Sequence, residues 1–224
     1  MFDAIAGRYD LLNHLLSAGI DRRWRRRAID ALRLTGGERV LDICTGTGDL
    51  AIAAARAAPG AARVVGVDFA GAMLQVGRAK LRRVRLDGRV ALVRGDATHL
   101  PARDRAVDAI TIAFGIRNID DVVAACREMV RVLRPGGRVA ILEFAVPDAP
   151  LVGSVYLWYL RRVLPRIGAA VSRHHDAYGY LSASIDAFTS PHEFAKTLWQ
   201  AGFGDVQAVR MTVGTVCLYT GIRA

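Results

Sequence analysis

Residues 41–51 read LDICTGTGDLA. An apolar stretch interrupted by Asp42 runs into Gly46-Thr47-Gly48, and apolar residues resume at Leu50. This is the pattern of a strand, a tight glycine turn and the start of a helix. It matches G-x-G-x-x-G/A, with Ala51 in the last place. Glycine in such a turn lets the backbone pass close to a bound ligand.

Outward from this stretch the chain alternates strand and helix. Strands are predicted at 39–43, 63–67, 90–94, 107–114 and 138–144. Helices are predicted at 50–58, stopped by Pro59-Gly60, at 71–84, and at 120–133, ended by Arg134-Pro135-Gly136-Gly137. Such alternation implies a parallel sheet with helices on both faces. Residues 190–201 read as a helix. The strand candidates 206–211 and 215–220 are separated only by a short turn and so are expected to pair antiparallel. Residues 1–34 read as helical. Residues 145–189 break the alternation and form an insertion. There Val152, Val155, Tyr156, Tyr159, Leu160, Val163 and Leu164 share a helical stripe until Pro165, and Leu157, Trp158, Arg161 and Arg162 occupy the other side.

The ligand of the turn is decided by charge. Asp68 ends the second strand, twenty residues beyond Gly48, where a carboxylate can bond ribose hydroxyls. That leaves NAD or another ribose-bearing ligand. A dinucleotide would lay its pyrophosphate on this turn, at the positive end of the helix. Asp42 and Asp49 flank the turn and would repel it. S-adenosylmethionine has no phosphate and carries a sulfonium and an ammonium, both positive. Asp96, in Gly95-Asp96-Ala97, follows the third strand, where it can accept from an adenine amino group. The acidic strand ends Asp42, Asp68 and Asp96, with Gly46 and Gly48, favour S-adenosylmethionine. The competing reading makes them ordinary strand-end turn residues.

The 224 residues suffice for one domain with a large core rather than two, and 52% are apolar. No run of about eighteen apolar residues is present to span a membrane, and no signal-peptide pattern opens the chain. Cys44, Cys126 and Cys217 are scattered, without C-x-x-C. This pattern suggests neither a disulfide framework nor a metal site, and it fits a cytoplasmic setting. The net charge is +10, and only Lys80 and Lys196 are lysines. An arginine-rich balance favours a nucleic acid, an anionic lipid surface or an acidic substrate, or it is simply solvated.

The chain resembles the quinone-biosynthesis C-methyltransferases of the UbiE/MenG type over nearly its whole length. The resemblance lies in FDAIAGRYDLLNHLLSAGIDRRWR, LDICTGTGDLA, FGIRNIDD, REMVRVLRPGGRVAILEF, VLPRIG, AYGYLSASI and AGFGDV…MTVGTVCLYTG. Of these, FGIRN and RYDLLN are the most specific to the family. It implies a Rossmann-like class I methyltransferase fold: a seven-stranded, mostly parallel sheet with the last strand antiparallel. Residues 1–36 and 145–189 would be helical cap elements of a single domain, 1–224. It implies S-adenosylmethionine contacts at Thr47, Asp68, Asp96 and Ala97. Where many members have a serine before the Phe-Gly of the fourth strand, this chain has Ala113, and His174-His175 lies outside the family pattern.

The implied reaction is methylation of a ring carbon of a prenylated quinol, with the menaquinone branch favoured over the ubiquinone branch. The carbon becomes nucleophilic when a neighbouring phenol loses its proton. At pH 7 that costs about 4 kcal/mol for a pKa of ~10. Arg117 follows the fourth strand at the edge where open α/β sheets bind ligands. A guanidinium there would stabilise phenolate without acting as a base; the alternative is a loop brace paired with Asp120 or Asp121. Tyr9 and Asn118, inside the two most specific motifs, and Tyr156, Tyr159, Tyr178 and Tyr180 of the insertion are assigned to the substrate. The arginines and the Leu157/Trp158 side suggest peripheral contact with an anionic membrane surface. A homo-oligomer is left open. Competing readings are a nucleic-acid methyltransferase and a non-catalytic scaffold that binds S-adenosylmethionine. The first is disfavoured by the lack of an N/D-P-P-Y/F motif or RNA-binding module, so no nucleic-acid partner is expected.

Overall fold

A computed structural model of the chain describes residues 19–57, 62–163 and 176–224. The strands are β1 (Arg39–Ile43), β2 (Arg63–Asp68), β3 (Val90–Arg94), β4 (Val107–Ala113), β5 (Leu133–Phe144), β6 (Phe203–Met211) and β7 (Val216–Arg223). They form one sheet in the order β3-β2-β1-β4-β5-β7-β6. β1 to β5 pair in parallel, and β7 runs antiparallel between β5 and β6. The parallel sheet and the antiparallel closing pair are both as expected.

The described helices are α1 (Asp21–Leu32), α2 (Asp49–Ala57), α3 (Gly71–Arg83), α4 (Val122–Val132), α5 (Pro150–Trp158), α6 (Asp176–Ala187) and α7 (Pro191–Ala201). Because side chains alternate along a strand, β1 feeds two cores. Val40 packs with Trp24, Ala28, Leu32, Leu50 and Leu74 of α1, α2 and α3. Leu41 and Ile43 pack with Met129, Val132, Phe194 and Leu198 of α4 and α7. Burial of each large aliphatic side chain contributes about 1.5–3 kcal/mol. The sheet is therefore clamped on both faces, and its strand ends are fixed in place.

Helix starts follow local chemistry. Asp121 caps α4 by accepting from the Ala124 N–H at 2.8 Å, so the helix begins after the acidic pair. Ser190 caps α7, with Pro191 in the first turn and Gly202 in the left-handed conformation at its end. Two expectations shift. Residues 134–137 do not merely end a helix: the ladder already pairs Val107 with Leu133 and resumes at Ala109 and Arg138. The Arg134–Gly137 loop bulges out between them, held by Arg134 Nε on Asp108 Oδ1 at 2.8 Å. Gly137 has no room for a Cβ, which would meet Arg134 O at 2.8 Å. The insertion stripe is also not one regular helix, since α5 widens into a π-helical turn over Tyr159–Val163. Within α5 itself, Val155 faces outward while Leu157 is half-buried.

Candidate functional site

The ends of β1 and β4 lie side by side, with Ile43 opposite Ile112. Each is followed by a non-glycine residue in the left-handed region, Cys44 at φ 54 and Phe114 at φ 59. The two turns touch: a Cβ on Gly115 would stand 2.3 Å from the Cys44 Cβ. Gly115 is thus required by its neighbour rather than by its own φ. Thr45 N–H reaches Val67 O at 3.1 Å and Gly48 N–H reaches Thr45 O at 2.8 Å, which closes the glycine turn.

Above these turns opens a cavity of about 460 Å³. Gly46, Asp68, Asp96, Ala97 and Asn118 line it, together with Cys44, Phe69, Phe114 and Gly115. The carboxylates Asp68, Asp96, Asp120 and Asp121 line it too, and among the described residues no lysine or arginine does. Such a wall suits a ligand bearing positive charge and repels phosphate. It fits S-adenosylmethionine better than a dinucleotide, although two of the carboxylates invoked for that choice are elsewhere. Asp49 pairs with Lys80 Nζ at 2.6 Å, and Lys80 also donates to Thr47 Oγ1 at 2.9 Å. Asp42 is buried beneath the turn, accepting from Thr45 Oγ1 and Thr111 Oγ1, each at 2.6 Å. Burial pushes its carboxyl up to about 6. Thr47 and Gly48 are buried and shape the turn from behind.

Asp68 is held by two backbone donors, Gly46 N–H at 2.7 Å and Ala70 N–H at 2.8 Å. A carboxylate in this place is an acceptor of the kind that ligand hydroxyls use. Asp96 accepts from the N–H and Oγ1 of Thr98, both at 2.8 Å, and these bonds hold its carboxyl below the usual range. The Cys44 thiol is pushed far up by burial and by Asp68, Asp42 and Glu143, so it stays protonated.

Arg117 stands at the boundary of this cavity. Its neighbours Gly115 and Asn118 line the cavity, while Arg117 lines a second hollow of about 590 Å³ with Tyr180 and Ser184. Its side chain is only 5% exposed and is paired at 2.7 Å with Glu143, which is 0% exposed. Nη1 also donates to Phe114 O at 2.6 Å and Nε to Ser184 Oγ at 3.2 Å. Nη2 makes no hydrogen bond among the described residues. The carboxylate beside Arg117 is thus Glu143, not Asp120 or Asp121. Glu143 was missed in the sequence reading; its signal is a lone carboxylate closing the apolar strand VAILEF.

The insertion tyrosines divide. Tyr180 donates to Asn118 Oδ1 at 3.1 Å, which joins two of the substrate candidates. Tyr156 and Tyr159 pack with Phe144, Leu160, Leu181 and Ile185, and burial pushes the Tyr156 phenol far up. Tyr178 lies on α6. Tyr9 and His174-His175 fall outside the described residues. Unforeseen is an aromatic run across the site. Phe114 stacks on Phe144 at 4.5 Å and meets Trp24 edge-on at 5.9 Å, with Arg117 5.4 Å from the Phe144 centroid.

Residues 1–223 match the model of the ubiE/COQ5 methyltransferase family. A Thermus thermophilus protein named demethylmenaquinone methyltransferase is 46% identical over 223 residues, covering 100% of both chains. A Geobacter protein named ubiquinone/menaquinone biosynthesis C-methyltransferase is 45% identical, covering 100% of this chain and 94% of its own. Among solved structures, a SAM-dependent methyltransferase from Aquifex aeolicus superposes with a TM-score of 0.65 at 18% identity, covering 89% of each chain. The last likeness bears on fold alone, and with the strand order above it makes the architecture that of class I SAM-dependent methyltransferases. The full-length matches carry further: this chain belongs to the ubiE/COQ5 methyltransferase family.

Proposed function

We propose that this chain methylates a ring carbon of demethylmenaquinol, with S-adenosylmethionine as the methyl donor. The observation that carries the reading is identity of 46% over the whole of both chains with a demethylmenaquinone methyltransferase. The acidic cavity at the carboxyl edge of the sheet supports the donor. Asp68 would hold its ribose, Asp96 and Ala97 its adenine, and Gly46 would pass beneath it, while Thr47, Gly48 and Asp42 keep the turn in shape. When bound, S-adenosylmethionine supplies an electrophilic methyl group on a sulfonium.

The chain's own part is to place and activate the ring. Glu143 and Ser184 hold the Arg117 guanidinium in one plane, and Nη2 remains to donate to an oxygen of the substrate. Because the pair with Glu143 is neutral as a unit, Arg117 works through a directed hydrogen bond to phenolate oxygen more than through bulk charge. A preorganised donor in a water-poor site lowers the barrier by about 3–4 kcal/mol. Asn118 and Tyr180 bridge the boundary where the ring would sit, and Tyr156, Tyr159 and Phe144 supply apolar wall. Tyr9 and Tyr178 remain assigned to the substrate on the family pattern. A substrate with a prenyl tail calls for peripheral membrane attachment, and no described helix is long and apolar enough to cross a bilayer.

The test is mass spectrometry of products under strictly reducing and strictly oxidising conditions. A quinol has a phenolic proton to lose, and a quinone has none. Carbon-methylated product from the reduced demethylmenaquinol, with almost none from the oxidised form, is expected. Equal turnover of the oxidised quinone, or methylation on oxygen, would overturn the reading. The Geobacter relative's name spans both ring types, so a 2-polyprenyl-6-methoxy-1,4-benzoquinol belongs in the same assay.

A further inference from the structure

We infer that one continuous face, made by the outer side of α5, the β6–β7 turn and the exposed arginines of α1, docks on an anionic lipid bilayer. The inference rests on the reading of the substrate as a lipid-soluble quinol, and it names the surface that would meet the membrane.

α5 presents its apolar side the wrong way for a core helix. Leu151, Val155 and Trp158 recur at i, i+4 and i+7, so they share one face. They are 78%, 57% and 59% exposed. The opposite face is anchored by Gly153, where a Cβ would meet Pro147 O at 2.7 Å. The helix thus buries its smallest residue and shows Leu151, Val155 and Trp158 to solvent, while Tyr156 is half-buried on another side.

The neighbouring turn does the same. Val213 is 76% exposed and sits at φ 57, next to Thr212 at φ 48. A β-branched residue in the left-handed region is strained, and here that conformation goes with an apolar tip pointing outward. The turn adjoins α5 through Pro147, whose Cα would lie 3.3 Å from a Cβ on Gly214. It adjoins α1 through the Trp24 indole N–H, which donates to Thr212 Oγ1 at 2.8 Å. Arg22, Arg23, Arg26 and Arg27 are exposed on that helix, and Arg162 is exposed just beyond α5. Of the carboxylates near α5, Asp148 is answered by Arg210 and Asp186 by Arg161, and on α1 the exposed Asp30 is outnumbered by the four exposed arginines.

Separate apolar tips ringed by arginines suit a bilayer. The tips insert shallowly, a tryptophan sits at headgroup depth, and each arginine near an anionic surface adds attraction. A water-soluble polyanion would use the arginines but have no use for the tips.

The experiment is co-sedimentation with vesicles of phosphatidylcholine alone or mixed with phosphatidylglycerol. Binding to the mixed vesicles is expected to fall as salt rises, because screening tightens from about 10 Å at 0.1 M to about 3 Å at 1 M. Leu151→Glu with Trp158→Glu, and separately Arg22→Glu with Arg23→Glu, should each weaken it at least about tenfold. These variants should still methylate a short-tailed quinol in solution while losing turnover of quinol embedded in vesicles. Unchanged vesicle binding in the variants would overturn the inference. So would salt-independent binding to neutral vesicles, or a dimer that only the Leu151/Trp158 variant dissociates. Failure of the wild type on every quinol would sink the substrate reading instead, and the vesicle measurement would still report on the surface.

Discussion

The two sides of the site are held by different means. On the side of β1, β2 and β3, geometry comes from backbone: turns at Cys44, Gly46 and Gly48, and a carboxylate, Asp68, fastened by two N–H groups close in space. On the side of β5 and the insertion, geometry comes from single side chains reaching far along the sequence. Arg117 joins Glu143 and Ser184, and Tyr180 joins Asn118. Backbone turns tolerate many side chains and fix one shape. Long-range side-chain pairs fix chemistry, and each one fails when a single partner is lost.

The largest test of this contrast is the buried pair. Arg117→Ala leaves Glu143 charged and unpaired, which should cost about 3–5 kcal/mol of stability, seen as a fall in urea midpoint. It should also cut turnover about 10²–10³-fold while sparing affinity for S-adenosylmethionine. Arg117→Lys should fall between, since lysine keeps charge without the planar fork. Wild-type turnover in Arg117→Ala would reduce the residue to a brace.

Next in size is the acid beneath the turn. Asp42 titrates near 3.8 when unfolded and at about 6 when folded. Between those values the folded chain holds the extra proton. Its stabilising contribution is therefore full below about pH 4 and lost as pH rises through about 6, a change of about 3 kcal/mol. Asp42→Asn should flatten this part of the stability profile, and an unchanged slope would place the titration elsewhere. Then comes Asp68→Ala, which should abolish most of the thermal shift given by S-adenosylmethionine. Loss of the acceptors for two backbone N–H groups should lower stability by about 1–3 kcal/mol; NAD should give no shift in either protein. The smallest effect concerns the touching turns. Gly115→Ala should cost about 1–3 kcal/mol by overpacking, and Cys44→Gly should restore much of it by removing the Cβ that is in the way and by easing a left-handed position. Additive losses in the double variant would mean the two turns do not press on each other.

This contrast also explains what the sequence could say. Strands 39–43, 63–67 and 90–94 were legible because they are short valine-rich apolar runs, and the glycine turn because its shape is local. The choice of a positively charged ligand came out of the carboxylates, yet the cavity is acidic through Asp68, Asp96, Asp120 and Asp121 rather than through Asp42 and Asp49. Nothing local reveals that Asp49 meets Lys80 across α2 and α3. Glu143 escaped for the same reason, since its partnership with Arg117 exists only once β4 and β5 lie in register. The exposure of Val155 escaped too, because an apolar stripe does not say which of its residues the rest of the fold will cover.

The place of β7 has a consequence for the order of events during synthesis. Among the seven described strands it comes last in chain order, so its partners on both sides, β5 and β6, are made before it. Until residues 216–223 emerge, β5 keeps an open edge along Arg138–Phe144 and the pocket for Tyr219 stays unfilled. From the completion of β5 at Phe144 until Val216 is added, the nascent chain would carry an exposed, apolar strand edge, a surface on which neighbouring nascent chains pair. Ribosome-bound chains stalled before Val216 should therefore bind a holdase chaperone, and release it as β7 slots in.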